Sequence, residues 1–489
     1  MRKISKKLIT YILCLAMLVG NAFTLTGCSE EGGSDDDVIV LRVSNWEEYI
    51  DEGDWDPEEE TIELENGTVI CPETGIVEDF EAWFYETYGK EVRVEYSTFG
   101  TNEELYNQMS MGDTYDLVCP SEYMIMKLMT EDMLIPYSEE FYDTSIETNY
   151  YAKGVSPYIR SVYDELSIDG EPLSKYAAGY MWGTLGIVYN PEVISAEEAS
   201  HWDLLLNKKY TKQVTIKDSV RDAYFAGNSI YNKDLLLSEE FINSDDYYAK
   251  MEQLLNATDK KTIDATEDIL SNIKQNVYSF ETDSGKADMV SGKVVANQQW
   301  SGDAVYTLDQ AEEEGVILCY SAPEEATNLW FDGWVMLKDG IEEDPDKQMA
   351  AEAFVNFVSR PDNAIRNMWY IGYTSVIAGG EDDSIFQYIE FLYSADPEEE
   401  DPADLVEYPV SHFFTGKHAG ELTEEEIAEY TLTTWEEQTR RQLFAQYPPE
   451  EVTDRSVVMA YFDKEGNERI NQMWLNVRCF DVYEYLWGE

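Results

Sequence analysis

Apolar runs of strand character alternate with helical stretches along most of this chain, and that alternation confines it to α/β architectures with mostly parallel strands. Residues 38–43 read as a strand. The stretch Ile76–Tyr88 then places Val77, Phe80, Phe84 and Tyr88 on one helical face and stops at Gly89. Residues 91–96 return as a strand, and Thr101 with Glu104 has capping-box spacing for the helix that follows. Residues 115–119 form a short apolar strand, with Ser121 placed to cap the next helix. Residues 183–191 read as a strand crossing into a second unit, and 212–216 as another strand leading to a helix that bears Asp222. Residues 315–320 are apolar, 334–338 read as a return strand, and 348–358 are helical up to Arg360-Pro361. The 489 residues exceed one ordinary core, so two lobes are expected.

In parallel α/β sheets, ligands bind beyond the carboxyl ends of strands. Trp46, Ser121 and Tyr123 all fall just after a predicted strand. Aromatic and acidic residues recur together in five segments: Trp46 to Tyr49, Ser121 to Tyr123, Asp218 to Asp222, Trp300 to Asp303 and Trp330 to Asp332. This pairing of residue types suits a flexible dication. Carboxylates meet its charged ends, and aromatic faces cover its methylenes and attract its ammonium groups. Each residue also has an ordinary role open to it. Tryptophan is commonly core packing, Asp218 can cap the helix after it, and Arg221 can pair with Asp222.

Charge and motifs exclude several function classes. The formal net charge is −65, opposite to the basic footprint that nucleic acid requires. An acidic surface keeps a protein soluble and concentrates cations, but it does not locate a site. The three histidines, His201, His412 and His418, lack spacing such as HExxH, and no CxxC occurs, so no metal site is expected. His412 and His418 read as parts of a solvated loop. The acidic run beginning at Asp51 lacks the ligand order of an EF-hand. Neither GxSxG nor a phosphate-cradling glycine motif appears, and no cofactor is implied.

The N-terminus reads as a targeting segment. Arg2, Lys3, Lys6 and Lys7 precede an apolar stretch at 8–19 that is too short to span a bilayer comfortably. Leu25-Thr-Gly-Cys28 resembles the lipobox of bacterial lipoproteins. That resemblance implies a signal peptide at 1–27, lipidation of Cys28, and an acidic tether at 28–37. Of the remaining cysteines, Cys119 and Cys319 lie in apolar runs and read as buried thiols. Cys71 and Cys479 cannot be paired from sequence.

Taken together, the ordered segments resemble the spermidine/putrescine-binding proteins of polyamine ABC transporters, from about residue 41 to 375 and again from about 447 to 474. The resemblance implies a two-lobed periplasmic-binding-protein-like fold of type II, with a ligand cleft between lobes joined by crossing strands. The expected first lobe is 38–178 with 330–375 and carries an acidic insert at 51–72. The expected second lobe is 179–329 with 376–489 and carries an insert at 379–439. Position by position, Trp46, Tyr49, Ser121, Tyr123, Asp222, Trp300, Asp303, Trp330, Asp332 and Tyr373 match family positions that contact polyamine. Glu47 stands where Thr or Ser is frequent. Ser219 stands where spermidine binders can carry a second acid, while Asp303 is shared with putrescine-preferring relatives, so the balance leans to putrescine. The resemblance further implies a monomer that is not an enzyme, held at the outer face of the cell membrane by its lipid or periplasmic, and working with an ABC permease. The alternatives are a protein of the same fold for another small solute and, from another class, an extracellular hydrolase. A glycosidase's paired carboxylates are spatial and leave no sequence spacing.

Overall fold

The computed structural model describes residues 38–398 and 400–479. The expected signal peptide, Cys28 and tether lie outside them. Eight strands carry the main sheet: β1 Ile39–Trp46, β2 Val92–Phe99, β3 Leu117–Val118, β4 Ala177–Tyr189, β5 Val214–Lys217, β6 Ser279–Glu281, β7 Ala296–Trp300 and β8 Thr327–Leu337. Their spatial order is β6-β5-β7-β4-β8-β3-β1-β2. On one side β1 runs parallel to β2 and β3, and on the other β5 runs parallel to β6 and β7. Long antiparallel strands β4 and β8 join the two halves, and every residue in both is buried. These are the expected crossing strands.

Two principal apolar cores flank the junction. The first gathers Leu41, Phe80, Phe84, Trp334 and Phe354. The second gathers Leu185, Ile216, Tyr224, Ile273 and Met473. Helix α1 (Ile76–Tyr88) forms as its spacing predicts and buries Ile76, Phe80 and Phe84. Burying each of the two phenylalanines contributes roughly 1.5–3 kcal/mol. Gly89 ends the helix at φ 66°, a left-handed conformation that glycine adopts without steric cost. The hydroxyl of Thr101 caps α2 (Asn102–Met111) on the Glu104 amide, but Glu104 reaches back to the Gly100 amide, at 3.0 Å, one residue earlier than in a capping box. Cys71, Cys119, Cys319 and Cys479 are free thiols.

Both inserts contribute apolar side chains to the first core. Within 51–72 the chain makes a small hairpin, Ile62–Glu63 against Val69–Ile70, that delivers Ile62, Leu64 and Ile70 to the first core. Asp51 is fully buried. It accepts from the Trp55 indole (2.7 Å) and from Nε of Arg366 (2.7 Å), which also pairs with Asp79 (2.6 Å). Apart from Asp51, most of the acids that hide any period in this segment lie on the solvent side, while Trp55, Ile62, Leu64 and Ile70 form the inner face. The insert at 379–439 likewise joins the first core, through Ile385, Tyr393, Tyr408, Phe413 and Leu432, not the second lobe to which 376–489 was assigned. Phe413 stacks on Trp182 of β4, with centroids 5.6 Å apart at 10°, and this apolar contact fixes the insert's side. The chain returns to the second core only with the helix Lys464–Cys479, through Ile470, Met473 and Val477.

Candidate ligand-binding cleft

The cleft begins where β1 ends. Trp46 is the last residue of that strand and packs on Phe99, centroids 4.8 Å apart. Glu48 then takes a left-handed φ of 52°, and the turn brings Tyr49 back toward the sheet. The Tyr49 carbonyl accepts from the Tyr180 hydroxyl (2.8 Å) and from Asn45 Nδ2 (3.3 Å), which fixes the main chain of the turn. The Tyr49 hydroxyl donates to Oδ2 of Asp332 at 2.8 Å.

Asp332 sits in β8 at a bulge between Asp332 and Gly333, which re-aims its side chain. Ser121 donates to its other oxygen, Oδ1, at 2.7 Å. Ser121 occupies the N-cap position of α3 (Glu122–Thr130), yet its hydroxyl makes no cap bond and serves Asp332 instead. The Asp332 carboxyl is thus held by two neutral hydroxyls, and no basic side chain pairs with it among the described residues. Burial pushes it up to about 6, against the pull of the Ser121 and Tyr49 bonds. At neutral pH it is a buried carboxylate that lacks a counter-cation. Neighbouring Glu122 does not compete for a cation: burial pushes it up to about 8, although the Phe331 amide bonds its Oε2 at 3.1 Å.

Aromatic rings wall this end. Trp330 meets Tyr373 edge-on at 5.6 Å, and Tyr373 meets Tyr49 edge-on at 5.1 Å. Two glycines make room for them. A Cβ at Gly302 would overlap the Tyr373 ring, and one at Gly183 would overlap Ser301 and the Trp330 ring.

The opposite wall comes from the second lobe. Ser219 caps α4 (Val220–Tyr231) by accepting from the Asp222 amide at 3.3 Å. Asp218, expected as a possible cap, pairs with Arg478 at 2.7 Å. Asp222 lies in the first turn of α4 and accepts from Nε1 of Trp300, the last residue of β7, at 3.3 Å. Burial raises the Asp222 carboxyl above its usual range. Arg221 does not take Asp222 as a hydrogen-bond partner. It donates to the Ala460 carbonyl (2.7 Å) and lies over the rings of Phe462 (3.9 Å) and Tyr123 (4.6 Å). Tyr123, from the first lobe, is therefore capped on one face by a cation from the second, while its hydroxyl meets Asn102 and Glu103.

Asp303, at the start of α5 (Ser301–Glu313), differs from Asp332 in having cations of its own. Lys217 Nζ lies 2.9 Å from Oδ2 and Lys286 Nζ 3.6 Å from Oδ1, and the Tyr373 hydroxyl donates to Oδ1 at 2.9 Å. Burial opposes its charge, but the two lysines outweigh burial and hold the carboxyl below the usual range. Lys217 Nζ also lies 4.3 Å from the centroid of the Trp300 ring.

All ten residues singled out in the sequence, from Trp46 to Tyr373, line one continuous cleft. Sequence reasoning missed Lys286 at its wall and Lys217 behind Asp303. It also missed the acidic tip of the first insert, including Asp54 and Glu58, which reaches the same cleft. Lys217 ends strand β5, so its place beyond a strand's carboxyl end was the available signal.

The chain is 25% identical over 359 residues to the spermidine/putrescine-binding periplasmic protein of Salmonella typhimurium, covering 73% of this chain and 82% of that protein. It is 27% identical over 319 residues to the putrescine-binding periplasmic protein PotF of Escherichia coli, covering 62% and 75%. Among solved structures it resembles the spermidine/putrescine ABC transporter substrate-binding protein PotD of Streptococcus pneumoniae at a TM-score of 0.55 and 25% identity, over 90% of this chain and 98% of that one. The PotD lipoprotein of Treponema pallidum shares the fold at a TM-score of 0.56 and 16% identity, over 90% and 99%. The profile of the bacterial extracellular solute-binding proteins matches residues 75–391, and with two α/β halves closing on one cleft across paired crossing strands, this chain belongs to that family.

Proposed function

We propose that this protein captures a short polyamine, putrescine or spermidine, outside the cytoplasmic membrane and delivers it to the permease of an ABC importer. The observation that carries the reading is Asp332. A buried, ionised carboxylate between two hydroxyl donors and a wall of aromatic rings is costly when empty and is relieved by an ammonium. The rings of Trp330, Tyr373 and Trp46 give a ligand's methylenes apolar cover, at about 0.8 kcal/mol for each buried CH₂. Asp222 meets the distal ammonium from the second lobe. The remaining residues, Tyr49, Ser121, Tyr123, Trp300 and Asp303, hold these anchors in place. In this reading Cys28 carries the lipid that keeps the mature protein at the membrane, the protein acts as a monomer, and binding replaces catalysis.

A second reading has one observation in its favour. Lys217 Nζ, buried behind Asp303, lies 4.3 Å from the centroid of the Trp300 ring, so this end of the cleft already has a cation of the protein's own on its aromatic wall. Like charges about 4 Å apart repel by roughly 4 kcal/mol at an effective dielectric of about 20. A ligand with one ammonium and a neutral or anionic far end escapes that repulsion. Calorimetric titration with putrescine, spermidine, agmatine and 4-aminobutyrate separates the readings. Binding of the diamine or triamine with one site per chain supports polyamine capture. Binding of 4-aminobutyrate in preference to putrescine replaces it with the second reading, and heat from none of the four removes both.

A further inference from the structure

The fold brings two of the chain's three histidines together with a carboxylate from a distant segment. His412 belongs to the short helix Ser411–Thr415, His418 follows the left-handed turn at Gly416, and Glu450 opens the helix Glu450–Thr453. The His412 and His418 rings stack at 30° with centroids 5.6 Å apart, and Nδ1 of His418 lies 2.5 Å from Oε1 of Glu450. One potential ligand atom from each of the three residues falls within 4.8 Å of the others. Asp454, one helical turn beyond Glu450, brings Oδ1 to 4.0 Å from His418 Nδ1 and also accepts from the Tyr248 hydroxyl at 2.9 Å.

We propose that His412, His418 and Glu450 form a structural zinc site, with Asp454 or water in the fourth position. Two imidazoles and a carboxylate suit Zn²⁺ and not Ca²⁺ or Mg²⁺, which take oxygen ligands. The surroundings supply what such ligands need. Nδ1 of His412 meets the Lys417 carbonyl at 3.0 Å, a contact that fixes the tautomer and leaves Nε2 for the metal. The second Glu450 oxygen accepts from the Ala419 amide at 2.8 Å, which orients the carboxylate. His412 also packs on Tyr158, centroids 4.4 Å apart, and is half-buried. Zn–N bonds of about 2.0–2.1 Å place tetrahedral ligands roughly 3.3 Å apart, so the metal enters between His418 and Glu450 in place of their shared proton while the His412 ring moves inward. A surface ion pair accounts for His418 with Glu450, but not for a second imidazole stacked on the first.

The position gives the metal a task. The two histidines belong to the insert at 379–439, whereas Glu450 and Asp454 precede residues Ser456–Val457, which pair with Thr327–Asn328 at the start of β8. Zinc would therefore staple the insert to a crossing strand. None of the four residues lines the polyamine cleft, so this site is independent of the ligand assignment.

The test uses the full chain, freed of metal with a chelator and titrated with Zn²⁺ at about 0.15 M salt, which screens loose binding to surface acids. Wild type should bind one zinc per chain and melt higher with it. His412→Gln and His418→Gln should each weaken that binding at least tenfold while melting like metal-free wild type without zinc. Co²⁺ in place of zinc should show the absorption of a four-coordinate nitrogen–oxygen site. Zinc binding of equal stoichiometry and affinity in both variants would assign it to surface carboxylates and overturn the proposal, as would the absence of stoichiometric binding to wild type.

Discussion

Replacing Asp332 with asparagine keeps the side chain's shape and removes its charge. Two opposite effects follow. The ligand ammonium loses its buried partner, a change that typically costs about 3–5 kcal/mol, or two to four decades in affinity. The ligand-free protein, in contrast, should gain stability. Asp332 is raised from 3.8 to about 6 in the folded state, which corresponds to about 3 kcal/mol of charge burial opposing folding above pH 6. The sign is that of an acid with a raised folded value: its penalty is absent below about 3.8, grows between 3.8 and 6, and is constant above. Asparagine returns about 1 kcal/mol of this, because it accepts from only one of the Ser121 and Tyr49 hydroxyls. Apo Asp332→Asn should therefore be more stable than wild type by about 2 kcal/mol at pH 7 and no more stable near pH 4. Wild-type affinity should also fall up to tenfold per pH unit as pH drops below about 6, and Asp332→Asn should lose that part of the pH dependence. Calorimetric titration of putrescine at pH 7 and pH 5, with apo denaturant melts at pH 7 and pH 4, measures every part of this. Equal affinities at pH 7 refute the anchor. A variant less stable than wild type at pH 7 refutes the charge-burial account even if binding is lost.

The other expectations concern residues elsewhere in the chain. Lys217→Met keeps the stem's volume and removes the cation on Trp300; putrescine affinity should rise by tenfold or more, and an unchanged or weaker Kd by calorimetry would mean that the Lys217 charge does not oppose the ligand's distal ammonium. Asp51→Asn leaves the buried Arg366 guanidinium with Asp79 as its remaining carboxylate beside the Thr74 carbonyl, so the midpoint of urea unfolding should fall by the equivalent of about 3–5 kcal/mol; a loss below about 1 kcal/mol would mean that this buried pair does not hold the first insert to the core. Cys28→Ala should release the protein from membranes or block its processing, and membrane fractions holding a normally processed variant would remove the lipoprotein reading.

How much of this could be read in the sequence depended on how locally each feature is determined. The helix Ile76–Tyr88 was legible to the residue because four aromatic or aliphatic side chains recur on one face and a glycine in the left-handed region ends it. Of the cleft residues, Trp46, Ser121 and Tyr123 could be placed from the strands that precede them, whereas Asp222, Trp300, Asp303, Trp330, Asp332 and Tyr373 were marked by the family resemblance, since helix and mid-strand positions carry no local signal of a cleft. The inserts were not, since their burial depends on single apolar residues and on pairs such as Asp51 with Arg366, 315 positions apart. Distance along the chain also explains the partial failure over Ser121, Arg221 and Asp303. Local rules gave Ser121 a cap and Arg221 its sequence neighbour, and the family resemblance gave Asp303 a place against the ligand. In the fold, Asp332 takes the hydroxyl of Ser121, Tyr123 and Phe462 take the cation of Arg221, and Lys217 and Lys286 neutralise Asp303. Each replacement is electrostatic or aromatic, acts across the lobes or between strand ends, and leaves no periodicity in the sequence. The two acids therefore part company: Asp303 is already satisfied within the protein, while Asp332 is not. A motif that pairs each with a tryptophan cannot separate them; the position of the lysines does, and it is what makes Asp332 the proposed partner of a ligand's ammonium.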